Sequence, residues 1–238
     1  METTSTTFVL VHGAWRGSWA WKRVAASLRA LGHTVYTPTL TGLGERSHLL
    51  SGDITLSTHI TDIVNLLRWE ELTDVVLCGH SYAGMVLTGL AGQVPERIRS
   101  LVFVDAYLPE EGQNMMSMVP EPFRQAFVGS ASPFRGLYMP PIPAEVVGVN
   151  PRDRAWVDAQ CTPHPLASFL ENVAGRTAVE QMARRSYIYA SGWGTTPFTA
   201  IYESLKARPG WTLHEAPCGH DVMIDMPELM VKVLLESA

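Results

Sequence analysis

Three cysteines in 238 residues are too few and too scattered for a disulfide framework, and Cys78, Cys161 and Cys218 lack the spacing of metal ligands. No stretch approaches the roughly 18 consecutive apolar residues of a membrane-spanning helix, so no membrane association is expected. Basic clusters are missing too, and the net charge is −5, which argues against nucleic acid or an anionic lipid surface as partner. The first residues, Met1 to Thr7, carry neither a basic segment nor an apolar leader, which makes the cytoplasm the expected location. Internal repeats and low-complexity tracts are absent.

What is present is an apolar content of 46%, enough for a sizeable core in one domain of this length. Short β-rich apolar runs alternate with helical patterns. Strands are expected at about 7–12, 34–38, 74–79, 100–105, 186–190 and 211–216, and helices at about 18–31, 57–69, 82–93, 195–207 and 227–236. The alternation predicts an α/β fold, a mostly parallel sheet of about six strands with helices on both faces. Between 107 and 185 the rhythm breaks into ten prolines, several methionines and short helical patches such as 153–160 and 166–173. The division is therefore a core of 1–106 and 186–238 with an inserted, mainly helical cap at 107–185.

The chemistry is concentrated in three places. Val75-Val76-Leu77-Cys78 is an apolar strand that runs into Gly79-His80-Ser81-Tyr82-Ala83-Gly84 and then into a helical pattern. A serine at such a strand–turn–helix junction projects its hydroxyl above the sheet edge, and the small residues around it let strand and helix approach closely. A G-x-S-x-small string alone is common. A second run, Phe8-Val9-Leu10-Val11, ends in His12-Gly13-Ala14-Trp15-Arg16-Gly17, a loop of the kind that presents backbone N–H groups to a developing oxyanion. Ala14 and Tyr82 are the expected donors. The third place is Cys218-Gly219-His220-Asp221, after the strand 211–216. Of eight histidines, His220 has the context of a general base for Ser81. His12 reads as part of the oxyanion-loop turn and His80 as a flank of the elbow. The other five read as solvated or satisfied residues.

With these stretches the chain resembles the α/β-hydrolases, and within them the small branch of methyl-salicylate and methyl-jasmonate esterases and hydroxynitrile lyases. The resemblance covers most of the chain outside 107–185. It implies a serine hydrolase that cleaves a small to medium, largely uncharged carboxylic ester without a cofactor or metal. In the lyases the residue after the oxyanion-loop histidine is threonine and the one after the catalytic histidine is lysine. Here Gly13 and Asp221 stand there, which favours the esterase pattern over a hydroxynitrile lyase.

The orienting acid departs from the pattern. In the esterases it follows the strand equivalent to Ser186–Ala190, but here the next residues are Ser191-Gly192-Trp193-Gly194-Thr195-Thr196-Pro197, without a carboxylate. Asp105, at the end of the strand Leu101–Val104, is the candidate. All strands of a parallel sheet present their C-terminal ends to one crevice, and the same strand end supplies the acid in some haloalkane dehalogenases, which this chain resembles in fold. A turn-capping role for Asp105 is the alternative, with Asp225 in reserve and Asp221 disfavoured. The missing carboxylate also keeps open a hydrolase-fold receptor with little turnover. Met115, Met116, Met118, Phe123, Phe127, Phe134, Tyr138 and Trp156 are candidates for either pocket lining or packing within the cap, and Trp193 is a candidate to fill space near the site. Oligomeric state stays open, a homodimer included.

Overall fold

In the computed structural model, which describes residues 5–238, the chain builds a six-stranded, all-parallel sheet. Of the N-terminal stretch Met1 to Thr7, in which no leader is expected, residues 1–4 lie outside the described residues. In chain order the elements are β1 (Thr7–Val11), α1 (Lys22–Ala30), β2 (Thr34–Tyr36), α2 (Leu56–Trp69), β3 (Val75–His80), α3 (Ala83–Gln93) and β4 (Ile98–Val104). After the excursion come β7 (Arg185–Ala190), α9 (Pro197–Lys206), β8 (Trp211–Ala216), α10 (Val222–Asp225) and α11 (Pro227–Glu236). The strand order is β2-β1-β3-β4-β7-β8, so β3 and β4 lie at the centre. The reversal of strand order around β1 opens the crevice in which parallel sheets place their ligands.

Alternation along the central strands fills two cores. Val9, Val11, Leu77, Leu101 and Phe103 face one layer with α2, α3 and α9, while Phe8, Leu10, Val76, Cys78, Val102 and Val104 face the other with α1 and α11. Both faces are apolar because both are covered, which is why these strands read as unbroken hydrophobic runs rather than alternating ones. The elbow helix α3 is buried from Ala83 through Ala91, as befits a helix running between sheet and neighbours.

Between β4 and β7 the chain makes an irregular excursion: α4 (Met115–Met118), α5 (Glu121–Ala131), β5 (Tyr138–Met139), α6 (Arg154–Gln160), β6 (His164–Pro165), α7 (Ala167–Leu170) and α8 (Arg176–Gln181). The patches expected at 153–160 and 166–173 are α6 and the shorter α7. Helix α5 was not expected, because Pro120 and Pro122 read as interruptions. They sit at its N-cap and in its first turn, where proline's missing N–H has no intrahelical partner to lose. The two-residue antiparallel pair of β5 with β6 was likewise unforeseen, being too short for a periodicity to register.

Candidate active site

Ser81 sits at the C-terminal end of β3 with φ of +57°, in the left-handed region that costs a non-glycine residue about 1–2 kcal/mol. The turn is held by its own backbone: Ser81 N–H donates to the Val104 carbonyl, and the Ser81 carbonyl accepts from Gly84 and Tyr107 at 3.0 and 3.1 Å. Gly84 is required by a contact the sequence does not reveal, since a Cβ there would lie 1.8 Å from the Tyr107 carbonyl oxygen. The small residue is demanded by the chain leaving β4.

Two further residues at this edge share the left-handed backbone, Trp15 at φ +62° and Asp105 at φ +41°. Asp105 follows β4, with its N–H on the Ile188 carbonyl at 2.7 Å. The Tyr187 hydroxyl clasps the next peptide by donating to the Ala106 carbonyl at 2.8 Å. The Asp105 side chain is fully buried: Oδ1 accepts from the Ala190 N–H at 3.1 Å and Oδ2 from His220 Nδ1–H at 2.6 Å. The other ring nitrogen, Nε2, lies 2.9 Å from Ser81 Oγ and accepts its proton. A hydroxyl, an imidazole and a carboxylate from positions 81, 220 and 105 thus form one hydrogen-bonded series. Burial pushes the Asp105 carboxyl above its usual range, and the bond from His220 offsets only part of that. Asp225 instead takes the Asn150 side-chain amide at 2.6 Å, on a different loop.

The Ala14 and Tyr82 amides donate to no other group among the described residues. Each belongs to a peptide whose carbonyl is pinned from behind. For Tyr82 the pins are the Gly84 and Tyr107 amides on the Ser81 oxygen. For Ala14 they are the Arg16 amide and the His12 ring, whose Nδ1–H donates to the Gly13 carbonyl at 2.8 Å. His12 Nε2 accepts from the Leu40 N–H at 3.0 Å, which fixes the tautomer. In a trans peptide, C=O and N–H point in opposite directions, so holding the oxygen aims the hydrogen. A Cβ at Gly13 would lie 2.7 Å from His80 Nδ1 and 2.9 Å from Ser81 Cβ, so the threonine of the lyases has no room here.

The remaining buried histidines are neutral, and all are satisfied except His80, whose Nδ1 has no partner among the described residues. Burial lowers His12 and His80 to about 3 and His59 to about 4, and carries His164 well below its usual range. His59 donates to the Thr41 carbonyl and accepts from the Tyr82 hydroxyl at 2.9 Å. His164 donates to Ser168 Oγ and accepts the Trp15 amide. His80 donates from Nε2 to the His220 carbonyl at 3.0 Å. Unforeseen in the sequence is the ion pair of Arg16 with Asp221, both buried, Nη2 to Oδ2 at 2.7 Å. Burial alone would raise the Asp221 carboxyl, but the guanidinium outweighs it and holds it at about 2.

Ser81 and His220 open into a cavity of about 270 Å³. Six of its lining residues are aromatic: Trp15, Tyr107, Phe123, Phe127, Trp193 and Phe198. Met115 lines it as well, whereas Trp156 packs on Trp19 at 5.2 Å and Phe134 on Tyr138 at 4.9 Å, outside the cavity. Arg16 is the lining side chain with a permanent charge, and Asp221 neutralises it. Among the described residues there is no cluster of three or more potential metal ligands and no helix long and apolar enough to cross a membrane.

Fold and site together are those of a parallel-sheet hydrolase. The family model for the alpha/beta hydrolase family matches residues 8–233, and the chain belongs to that family. It is 44% identical over 238 residues to a carbendazim hydrolyzing esterase of Nocardioides sp. (strain SG-4G), covering 95% of this chain and 97% of that one. Methyl jasmonate esterase 1 of Vitis vinifera is 31% identical over 125 residues, about half of either chain at 51% and 47%. Among solved structures, an extracellular alpha/beta-hydrolase from a Paenibacillus species, described as sharing homology with tobacco salicylic acid binding protein 2, superposes with a TM-score of 0.86. It is 24% identical and covers 98% of this chain and 99% of its own, a likeness of fold.

Proposed function

We propose that the chain is a cofactor-independent serine carboxylesterase that cleaves a small to medium, uncharged carboxylic ester through an acyl-enzyme. The observation that carries this is the series Asp105 Oδ2, His220, Ser81 Oγ, with contacts of 2.6 and 2.9 Å. His220 takes the Ser81 proton at Nε2 as Oγ attacks the carbonyl carbon. Asp105 keeps the ring in the right tautomer and stabilises the imidazolium without taking the proton. The oxyanion is received by the Ala14 and Tyr82 N–H groups, which have no other partner among the described residues to give up. As the carbonyl re-forms, the alcohol leaves with the proton held on His220. Water then attacks the acyl group, gives its proton to the same nitrogen, and the acid departs as Ser81 regains its hydrogen.

The segment 107–185 acts as a cap: Met115, Phe123 and Phe127 from it close the cavity over Ser81. An aromatic lining of that size, whose permanent charge on Arg16 is neutralised by Asp221, selects a neutral acyl or alcohol group. The 44% identity with a carbendazim hydrolyzing esterase puts carbendazim beside aryl and methyl esters in the substrate panel. A cyanohydrin-cleaving lyase is disfavoured because Asp221 is consumed by Arg16 and presents no cation for cyanide. Asp105 at the His220 ring likewise speaks against a receptor without turnover.

The test is a burst of chromophore from an activated aryl ester, with intact-mass detection of an acyl adduct on Ser81. We expect both in the native protein and neither in Ser81→Ala. A burst that survives the Ser81→Ala change, or no adduct across the panel, would remove the hydrolytic reading.

A further inference from the structure

The loop after β7 holds Trp193 where the esterase pattern has its acid, and the indole is tied to the site on several sides. Its ring centre lies 5.0 Å from that of His220, inclined by 33°, while Phe198 stacks on the same imidazole at 5.0 Å and 12°. The backbone around it is fixed by Ser191 N–H on the Ala216 carbonyl and Gly192 N–H on the Cys218 carbonyl, at 2.8 and 2.9 Å. On the other side it presses on the cap, where a Cβ at Gly148 would lie 2.8 Å from Trp193 Cβ. Among the described residues the buried indole N–H makes no hydrogen bond of ordinary geometry, yet it lies close enough to the Asp105 carboxylate to favour its charged form. Ser191, Gly192, Gly194 and Thr195 around it are exposed, whereas Asp105 has no exposure at all.

We infer that Trp193 is a positioning residue that, with Phe198, holds the His220 imidazole flat between Asp105 and Ser81 and seals Asp105 from water. The inference rests on the hydrolytic reading of these residues. Two hydrogen bonds at opposite nitrogens leave an imidazole free to rock about the line joining them, and aromatic rings against its face block that motion. The same faces carry partial negative charge, which favours the imidazolium formed during attack. A loop that has given up the acid itself thereby still governs the histidine that uses it.

Trp193→Ala and Trp193→Phe test this, with p-nitrophenyl acetate and a longer p-nitrophenyl ester as substrates, and with the downfield proton resonance of His220 Nδ1–H as a second readout. Misplacing a reacting group by about 1 Å costs on the order of 100-fold. Trp193→Ala is therefore expected to lower kcat roughly 10- to 100-fold on both esters. KM for the acetate should barely change, and the downfield proton should be lost to exchange. Trp193→Phe, which keeps a ring on the imidazole, should restore most of kcat and the resonance. An unchanged kcat on the acetate in Trp193→Ala, with effects confined to KM of the longer ester, would reduce Trp193 to a pocket wall and overturn the inference. Should the native protein neither turn over nor form an adduct, the hydrolytic reading fails by itself. The resonance then still decides: its loss in Trp193→Ala supports the clamp and its persistence overturns it.

Discussion

Arg16 and Asp221, 205 residues apart in sequence, meet in a two-pronged ion pair, Nε to Oδ1 at 3.2 Å and Nη2 to Oδ2 at 2.7 Å. One residue belongs to the loop of Ala14 and the other follows His220. The pair ties the two loops that must converge on Ser81, in a place where water cannot screen it.

Breaking this pair from one side leaves a buried, unmatched charge, and Asp221→Asn is expected to cost about 3–5 kcal/mol of stability. Replacing both partners with apolar residues, Arg16→Met with Asp221→Leu, should recover much of that, as read by urea denaturation. The native carboxyl, held at about 2 against an ordinary 3.8, stabilises the fold fully above about pH 4. That contribution is lost as pH falls through 2. Denaturation midpoints between pH 5 and 2 should fall less steeply in Asp221→Asn than in the native protein, the limb that remains coming from other lowered carboxyls such as Asp153.

Asp105 has the opposite sign. Its carboxyl is raised by burial, so the ionised form that orients His220 is a burden on the folded state above the ordinary carboxylate range. Asp105→Asn is expected to lower kcat by about 10⁴-fold through the wrong imidazole tautomer. Thermal unfolding should show stability at neutral pH unchanged or raised. A variant that loses both turnover and stability would point to the capping role instead.

His12 is not among the residues lining the cavity, yet it holds the Gly13 carbonyl and so aims the Ala14 N–H, one of the two proposed oxyanion donors. Losing such a donor outright costs about 10²–10³ in kcat. His12→Leu, which merely releases the Gly13 carbonyl, should cost roughly 10-fold or somewhat more, with little change in KM. Steady-state kinetics on a single activated ester suffices to check it.

Ser81 is expected to trade backbone strain for function. Ser81→Gly relieves a φ of +57° and should unfold later than Ser81→Ala by about 1 kcal/mol, both variants being inactive. Differential scanning calorimetry of the two reads this without any substrate.

The strands that place the site were legible because burial on both faces writes them as apolar runs: Phe8–Val11, Val75–Cys78 and Leu101–Val104 are recognisable without any partner known. That Asp105 can reach His220 was also legible, since all strands of a parallel sheet end at one edge and only β7 separates β4 from β8, which the His220 loop follows. What escaped were contacts between loops remote in sequence. Nothing local marks Arg16 as the partner of Asp221, and Asp221, disfavoured as the orienting acid, showed no role of its own. His59 and His164 carried no signal either, because the partners on their other ring nitrogens, the Tyr82 hydroxyl and the Trp15 amide, lie 23 and 149 residues away in sequence. Helix α5 was hidden by prolines that a first turn tolerates.

The neutralised guanidinium at the cavity wall bears on how a catalytic cycle ends. Ester cleavage turns an uncharged guest into an anion, and Arg16 already has its counter-ion in Asp221. Surrounded by aromatic rings and offered no free cation, the newly made acid is better hydrated outside than held within. Weak product inhibition is the expected consequence, and a freed Arg16 is expected to turn the same chamber into a trap for its own product.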